Sequence, residues 1–202
     1  VVVLFHDDNL QRVLGDPRTL LQVDASELRA LMESRGGLIT LEEALVRFPN
    51  TRFNIDVKAD TAVQAVGPIV ASHAERVLLT AFSDARRRTA MAAIMRAGAN
   101  QRPAASPGTF TVVKLVIAVW LRARWLAART LRGIDAVQIP ERQGRLRVLS
   151  PRLIAMAHEL GIEVHVWTVN ESDDMRRLLD AGVDGIVTDR ADVALQVVAE
   201  RK

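Results

Sequence analysis

The segment FNIDVKAD (53–60) sets Asp56 and Lys58 two residues apart in a run that otherwise alternates like a strand. Successive side chains of a strand turn to opposite faces, so a carboxylate and an ammonium share one face here, with Asn54 below them. Inside a core, both charges are costly unless they neutralise each other. Lining a site, they are a cation ligand beside an anion ligand. Asp56 can offer oxygen to a hard cation such as Mg²⁺ or Ca²⁺, and Lys58 can hold a phosphate or a developing oxyanion. The residue pattern leaves both readings open.

His6-Asp7 ends the β-branched run VVVLFH (1–6). Imidazole titrates near neutral pH, so a strand-end histidine is a candidate general acid or base, with Asp7 to fix its tautomer. A surface turn with an incidental histidine is the plainer alternative. Trp167, in VWTVN, can stack on a substrate's carbon skeleton or simply fill the core. His165 shares its parity but, lacking a carboxylate neighbour, reads as a packed core residue. His73 and His158 fall on helical patterns as surface or boundary residues. Gln138, Asn170 and Asp189 close further strands; Asp189 reads as a helix cap and Gly185 as a point of flexibility.

A strand–helix alternation must position these groups. After the leading strand 1–6, DASELRALMESRGG and TLEEALVRF read as helices opened by Asp24/Glu27 and Thr40/Glu43 in capping-box spacing. Strands follow at 52–58, RVLLTAF, DAVQIP, IEVHVWTVN and DGIVTD, with a weak one near 98–104. Helices are expected near 61–73 and 84–97, in SPRLIAMAHELG (Ser150 as N-cap, Pro151 first), in ESDDMRRLLDAG and in ADVALQVVAERK. Repeated βα units mean a parallel sheet. No glycine-rich phosphate fingerprint follows any strand, and polar residues gather at the ends of several strands, which favours a (β/α)₈ TIM barrel over a dinucleotide fold. Six barrel strands plus the leading one are two short of closure, and an open parallel sheet leaves an unpaired edge. The expectation is a single domain, 1–202, incomplete at its N-terminal side, with the first two barrel strands missing.

The chain has 202 residues, 49% of them hydrophobic and 25% charged, so it can bury an ordinary core. With no cysteine it has neither disulfides nor thiolate metal sites. A net charge of +3 is too small to argue for nucleic acid, and none is expected as a partner. Lysine occurs only at 58, 114 and 202, against a background of arginine. The apolar run LVIAVWL (115–121) is far too short for a membrane span, and no leader is visible, so a cytoplasmic location is expected. Residues 112–132 form a basic amphipathic segment with Trp120 and Trp125. It is either one long helix covering the sheet or a helix making weak contact with a membrane surface.

In this order the motifs resemble the glycerophosphodiester phosphodiesterase (GDPD) family over nearly the whole chain. HDDNLQR is similar to the family's His-Asp-x-x-Leu-x-Arg motif and IDVK to its Glu-(Ile/Leu)-Lys strand. LTAFSDARRR resembles the strand that ends Ser-Phe, HVWTVNESDDMRRLLDAGVDGIVTDRAD the family's C-terminal signature, and DAVQIPERQGRLRVLSPRLIAMAHELGIEVHVWTVN the bacterial branch of the family from GC-rich genomes. The resemblance implies a TIM barrel that hydrolyses a glycerophosphodiester to glycerol 3-phosphate and an alcohol with one divalent cation, Mg²⁺ or Ca²⁺. It implies that His6 is one of two acid/base histidines, Asp56 a metal ligand, Lys58 a phosphate ligand with a catalytic role, and Trp167 a substrate-pocket aromatic. Asp7, Phe82 and Gln138 are supporting residues. The chain departs from the pattern in four places. The His-Arg-Gly and Glu-x-Asp strands are not found ahead of His6; Asp56 stands for Glu; RVLG stands for Arg-Thr-Thr; and Ala81 stands for Ser. A GDPD-like barrel without catalysis, serving as a binding or membrane-associated scaffold, is the alternative, and a lysophospholipase-D-like relative is a third.

Overall fold

A computed structural model describes residues 1–201. The elements run α1 (Gln11–Leu14), α2 (Ala25–Met32), α3 (Leu41–Arg47), β1 (Phe53–Asp56), α4 (Ala62–Ala71), β2 (Val77–Thr80), α5 (Asp84–Arg96), β3 (Ala104–Ala105), α6 (Thr109–Trp120) and α7 (Arg124–Thr130). They continue with β4 (Ala136–Pro140), β5 (Arg142–Gln143), β6 (Leu146–Arg147), α8 (Pro151–Glu159), β7 (Glu163–Trp167), α9 (Ser172–Asp180), β8 (Gly185–Ile186) and α10 (Ala191–Ala199). Lys202, the last residue of the expected closing helix, lies outside the described residues.

Local chemistry explains many of these boundaries. Thr40 and Glu43 form the reciprocal capping box at α3, and Ser150 with Pro151 starts α8. At α2 only half of the expected box forms: Asp24 accepts from the N–H groups of Ser26 and Glu27, while the Glu27 carboxylate turns to Arg18 at 2.7 Å. The leading strand does not form. Residues 1–6 make one bridge, Val3 to Thr40, and lie against the 39–41 segment, where Leu4 N–H donates to Ile39 and Leu41 N–H to Val2. With no strand beside it, this β-branched run has no ladder to join.

Parallel ladders join β1 to β2 and β2 to β3, and β4 to β7 and β7 to β8. Between the two sheets, Asp135 N–H donates to Ala105 O at 2.9 Å and Gln138 N–H to Ser106 Oγ at 3.2 Å, which brings β3 beside β4. The six strands expected from the sequence therefore follow one another in chain order. Among the described residues β1 pairs only with β2 and β8 only with β7, so the sheet does not close into a barrel.

Burial alternates along β1, β2, β7 and the second half of β4. Ile55, Val57, Val77, Leu79, Val137, Ile139, Val164 and Val166 are buried against the helices. Asp56, Lys58, Thr80, Gln138, His165 and Trp167 are half-buried on the opposite, concave face. Two cores back the sheet, one behind β1 and β2 and one behind β4 and β7, and Met91 of α5 packs against both.

α4 meets α5 at Gly67, where an added Cβ would lie 2.8 Å from the Ala93 carbonyl oxygen. Gly67→Ala must push two helix backbones apart. It is expected to destabilise the fold by about 1–3 kcal/mol, read as a lower urea midpoint.

The 112–132 segment is not one long helix. α6 ends where Arg122 enters the left-handed region (φ 56°) and Ala123 N–H donates back to Ala118 O at 2.9 Å. The helix end is of the kind glycine usually supplies. A small hairpin, β5–β6, also forms around Gly144 (φ 58°).

Candidate active site

The β1–β2 ladder runs one residue past β1, through Val57 N–H to Thr80 O at 2.9 Å. Burying Val57 against the helices turns Asp56 and Lys58 to the concave face. Lys58 Nζ lies 2.8 Å from Asp56 Oδ2, with both side chains about a third exposed. Asp56 Oδ1 is buried and has no hydrogen-bond partner; among the described residues only Arg87 Nε shares that condition. An unpaired buried carboxylate oxygen is free to bind an ion or accept from a water or ligand donor. Phe82, just past β2, places its ring centroid 5.7 Å from Lys58 Nζ, and its edge meets Trp167 with centroids 6.4 Å apart. Rings from the tips of β2 and β7 meet across the concavity although β3 and β4 lie between those strands, so the sheet curls toward itself.

His6 and Asp7 reach this place from the N-terminal segment. Leu10, fully buried with Leu28 and Leu38, pins the HDDNLQR loop, and Leu10 N–H donates to Arg18 O at 3.0 Å. His6, Asp7, Asp8, Asn9, Lys58, Phe82 and Arg86 line an open cleft of about 470 Å³. His6 Nδ1 lies 2.6 Å from Asp7 Oδ1 and Arg12 Nε 2.6 Å from Asp7 Oδ2. Facing a carboxylate, Nδ1 must carry a proton, which leaves Nε2 to exchange one with a substrate.

Arg12, and after it His6, holds the Asp7 carboxyl down to about 2 from 3.8. A depressed carboxyl contributes stability above its unfolded pKa, and that contribution is lost as pH falls from about 4 through about 2. Carboxyl NMR is expected to find Asp7 titrating near 2 in the wild type and distinctly higher in Arg12→Ala. An unmoved titration would show that Arg12 does not hold it.

The cleft thus unites His6, Asp7, Lys58 and Phe82, with Asp56 behind Lys58 and Trp167 against Phe82. Gln138 is not among the cleft's lining residues; its Nε2 lies 3.3 Å from His165 Nδ1. His165 is not the carboxylate-free residue its sequence neighbourhood suggested. Glu163 Oε2 sits 2.9 Å from its Nε2, and the shared parity of 163 and 165 was the available signal. Gly185 supplies space rather than flexibility, since a Cβ there would lie 2.6 Å from the His165 ring. Asp189 does not cap α10; it accepts from Asn170 Nδ2 at 3.3 Å. His158, on α8, is held by Asp184 at 2.8 Å. Arg86 was missed. Its Nε bonds Asp60 at 2.6 Å, and its signal was the arginine run that opens α5 just past β2.

One wall of the cleft is fixed to α6. The Asp84 carboxylate accepts from Gly108 N–H at 3.0 Å, Thr111 N–H at 3.1 Å and Thr111 Oγ1 at 2.9 Å. Burial pushes this carboxyl up, but the bonds from Gly108 and Thr111 outweigh it and its pKa is lowered. Thr109 N–H donates to Phe82 O at 2.9 Å, and a Cβ on Gly108 would meet that oxygen at 2.6 Å.

For a divalent cation, Asp56 Oδ1 is a donor of the right chemistry. Among the described residues no group of three or more His, Asp or Glu side chains converges as a metal site, so Asp56 by itself would offer one donor and not a complete set.

A cleft at the edge of an α/β sheet that is lined by a lysine, an arginine and a histidine has the charges and the proton carrier that suit an anionic, phosphate-bearing ligand. The glycerophosphoryl diester phosphodiesterase family model matches residues 1–193. The chain is 37% identical over 204 residues to the probable glycerophosphodiester phosphodiesterase 2 of Mycobacterium tuberculosis, covering 100% of this chain and 75% of that one. Its fold is similar to the crystal structure of a glycerophosphodiester phosphodiesterase from Parabacteroides distasonis, with a TM-score of 0.69, 22% identity and coverage of 98% and 78% of the two chains. It is also similar to an Oleispira antarctica phosphodiesterase in complex with the product sn-glycerol-3-phosphate, with a TM-score of 0.67, 15% identity and coverage of 98% and 79%. The chain belongs to the glycerophosphoryl diester phosphodiesterase family and is a phosphodiester hydrolase by that membership.

Proposed function

We propose that the chain carries the hydrolysis of a glycerophosphodiester to glycerol 3-phosphate and an alcohol. The observation that carries this reading is the Lys58 ammonium beside the unpartnered Asp56 oxygen, at a cleft that His6 and Arg86 also line. Lys58 and Arg86 hold the anionic phosphoryl oxygens, and His6 Nε2 exchanges a proton with the oxygen that leaves or attacks. Water adds across the P–O bond that breaks, and the leaving alkoxide departs as the alcohol. Phe82 and Trp167 present the apolar wall against which the glycerol or head group rests. Gln138 supports the concave face through His165.

Asp56 would hold a divalent cation, Mg²⁺ or Ca²⁺, through Oδ1. When bound, such an ion neutralises phosphoryl charge. The open edges of β1 and β8 support a further element of the reading: two more parallel strands would complete an eight-stranded barrel around the concave face and bring further donors toward Asp56. Glycerophosphocholine incubated with the natural gene product tests the proposal. Release of glycerol 3-phosphate with Mg²⁺ or Ca²⁺, abolished by a chelator, is the expected result. That no three His, Asp or Glu side chains converge among the described residues favours a second reading, a non-catalytic binding scaffold. Saturable binding of glycerol 3-phosphate with no turnover under any divalent cation would establish it.

A further inference from the structure

α6 and α7 each bury one face and leave the other bare. Leu115, Ala118, Val119 and Ala127 are buried in the core behind β4 and β7. On the outer side Phe110, Val113, Ile117, Trp120, Leu121 and Trp125 are all exposed, the two tryptophans at 77% and 71%. The spacing of 110, 113, 117 and 121 makes one stripe along α6, and Trp125 continues the apolar surface onto α7. Singly exposed apolar residues are ordinary, but six gathered on adjoining helices mark a contact surface.

The charge carried by this segment is of one sign. From 109 to 132 there are five cations, Lys114, Arg122, Arg124, Arg129 and Arg132, and no Asp or Glu. Arg124 reaches Glu159 at 3.5 Å; among the described residues the other four form no ion pair. Lys114 Nζ lies 4.4 Å from the Phe110 ring centroid, and with Arg129 it lines a groove of about 300 Å³ between the helices, floored by Ile117 and Leu126.

We propose that this face docks on an anionic lipid bilayer, with the indoles and aliphatic side chains in the interfacial region and the cations on lipid phosphates. Charge decides the occupant. A second copy would set the four unpaired cations against four of the same sign. A nucleic acid would match the charge and could stack on Phe110, Trp120 or Trp125, but the aliphatic stripe of Val113, Ile117 and Leu121 between them would meet a polar sugar-phosphate backbone, whereas the interfacial region of a bilayer accepts aromatic and aliphatic side chains alike. No described helix is long and apolar enough to cross a membrane, so the contact is with a surface. Because Thr109 is bonded to Phe82, docking sets the cleft's rim beside the lipid. The proposal does not depend on the reaction assigned to that cleft.

Co-sedimentation of the full chain with phosphatidylcholine vesicles, with and without phosphatidylserine, tests it. Binding is expected only with phosphatidylserine and falls steeply with added salt. The Trp120→Ser/Trp125→Ser variant is expected to partition at least about tenfold less, and each of Arg122→Glu, Arg124→Glu and Arg129→Glu about fivefold less or lower. Quenching of wild-type tryptophan fluorescence by brominated lipid supplies a readout that needs no variant. Absence of vesicle binding and quenching would overturn the proposal, as would unchanged partition in the variants. It would equally be overturned if those substitutions instead abolished a self-associated dimer, or binding to a single-stranded oligonucleotide, in a protein that ignores vesicles.

Discussion

Replacing Lys58 by methionine is expected to lower kcat/KM for glycerophosphodiester hydrolysis by about 10²–10³-fold, the cost of removing one charge-stabilising donor from a site. The Asp56–Lys58 pair admits two roles, and this variant separates them. If the pair only neutralises itself within the fold, its partly exposed, solvent-screened attraction contributes about 0–1 kcal/mol to stability, and activity should follow that small loss. If Lys58 holds the phosphoryl group, folding survives and the loss falls on kcat as well as KM. Lys58→Arg keeps the charge but puts a planar fork where a compact ammonium fits between Asp56 and the Phe82 ring, so only partial recovery is expected. Wild-type kcat/KM in Lys58→Met, with a normal melting curve, would remove Lys58 from the mechanism.

His6→Ala is expected to cost about 10²–10⁴-fold on glycerophosphocholine, the range for losing a positioned acid or base. The imidazole is 77% exposed, so its removal leaves the fold undisturbed. Comparing leaving groups sharpens the test. Choline leaves as a poorly stabilised alkoxide that needs a proton, whereas p-nitrophenolate leaves without one. If His6 protonates the leaving oxygen, the loss shrinks sharply on the p-nitrophenyl ester of glycerol phosphate. An equal loss on both substrates would assign His6 to the attacking side, and no loss on either would exclude it from proton transfer. Asp7→Asn should reproduce part of the effect, because it removes the carboxylate that fixes Nδ1–H.

The strands at 53, 77, 136 and 163 were legible because each combines β-branched residues with alternating burial and is bounded by a cap or a turn signal. The short β3 at 104–105 was legible only as the weak unit its two residues make. Residues 1–6 carry the same composition, yet a strand is a pairing and not a composition; their partner is the 39–41 segment, which no local rule identifies. The break after α6 was hidden for a related reason, since its left-handed position is held by Arg122 with no glycine to announce it. At the site, parity alone put Asp56 and Lys58 on one face. The 2.6 Å contact of His6 with Asp7 could be anticipated from their adjacency, but their meeting with Lys58 depends on Leu10 burying the loop against Leu28 and Leu38. Arg86 and the Glu163–His165–Gln138 chain are products of tertiary geometry, which spacing does not encode.

The Asp84 carboxylate bears on the motion of the cleft. Many enzymes close a loop over substrate and let its reopening limit turnover. The segment between β3 and α6 is poorly suited to that task. Three bonds donated to the Asp84 carboxylate and one to Phe82 O fasten its end to the opening turn of α5, and Gly108 lies too near that backbone for the joint to swing. On this side the cleft has a rigid jamb and no door. Hydrogen exchange at Gly108 and Thr111 should be as slow as in the neighbouring helices, with or without ligand, and any gating of product release falls to the other loops at the concave face, the HDDNLQR loop that lines the cleft among them.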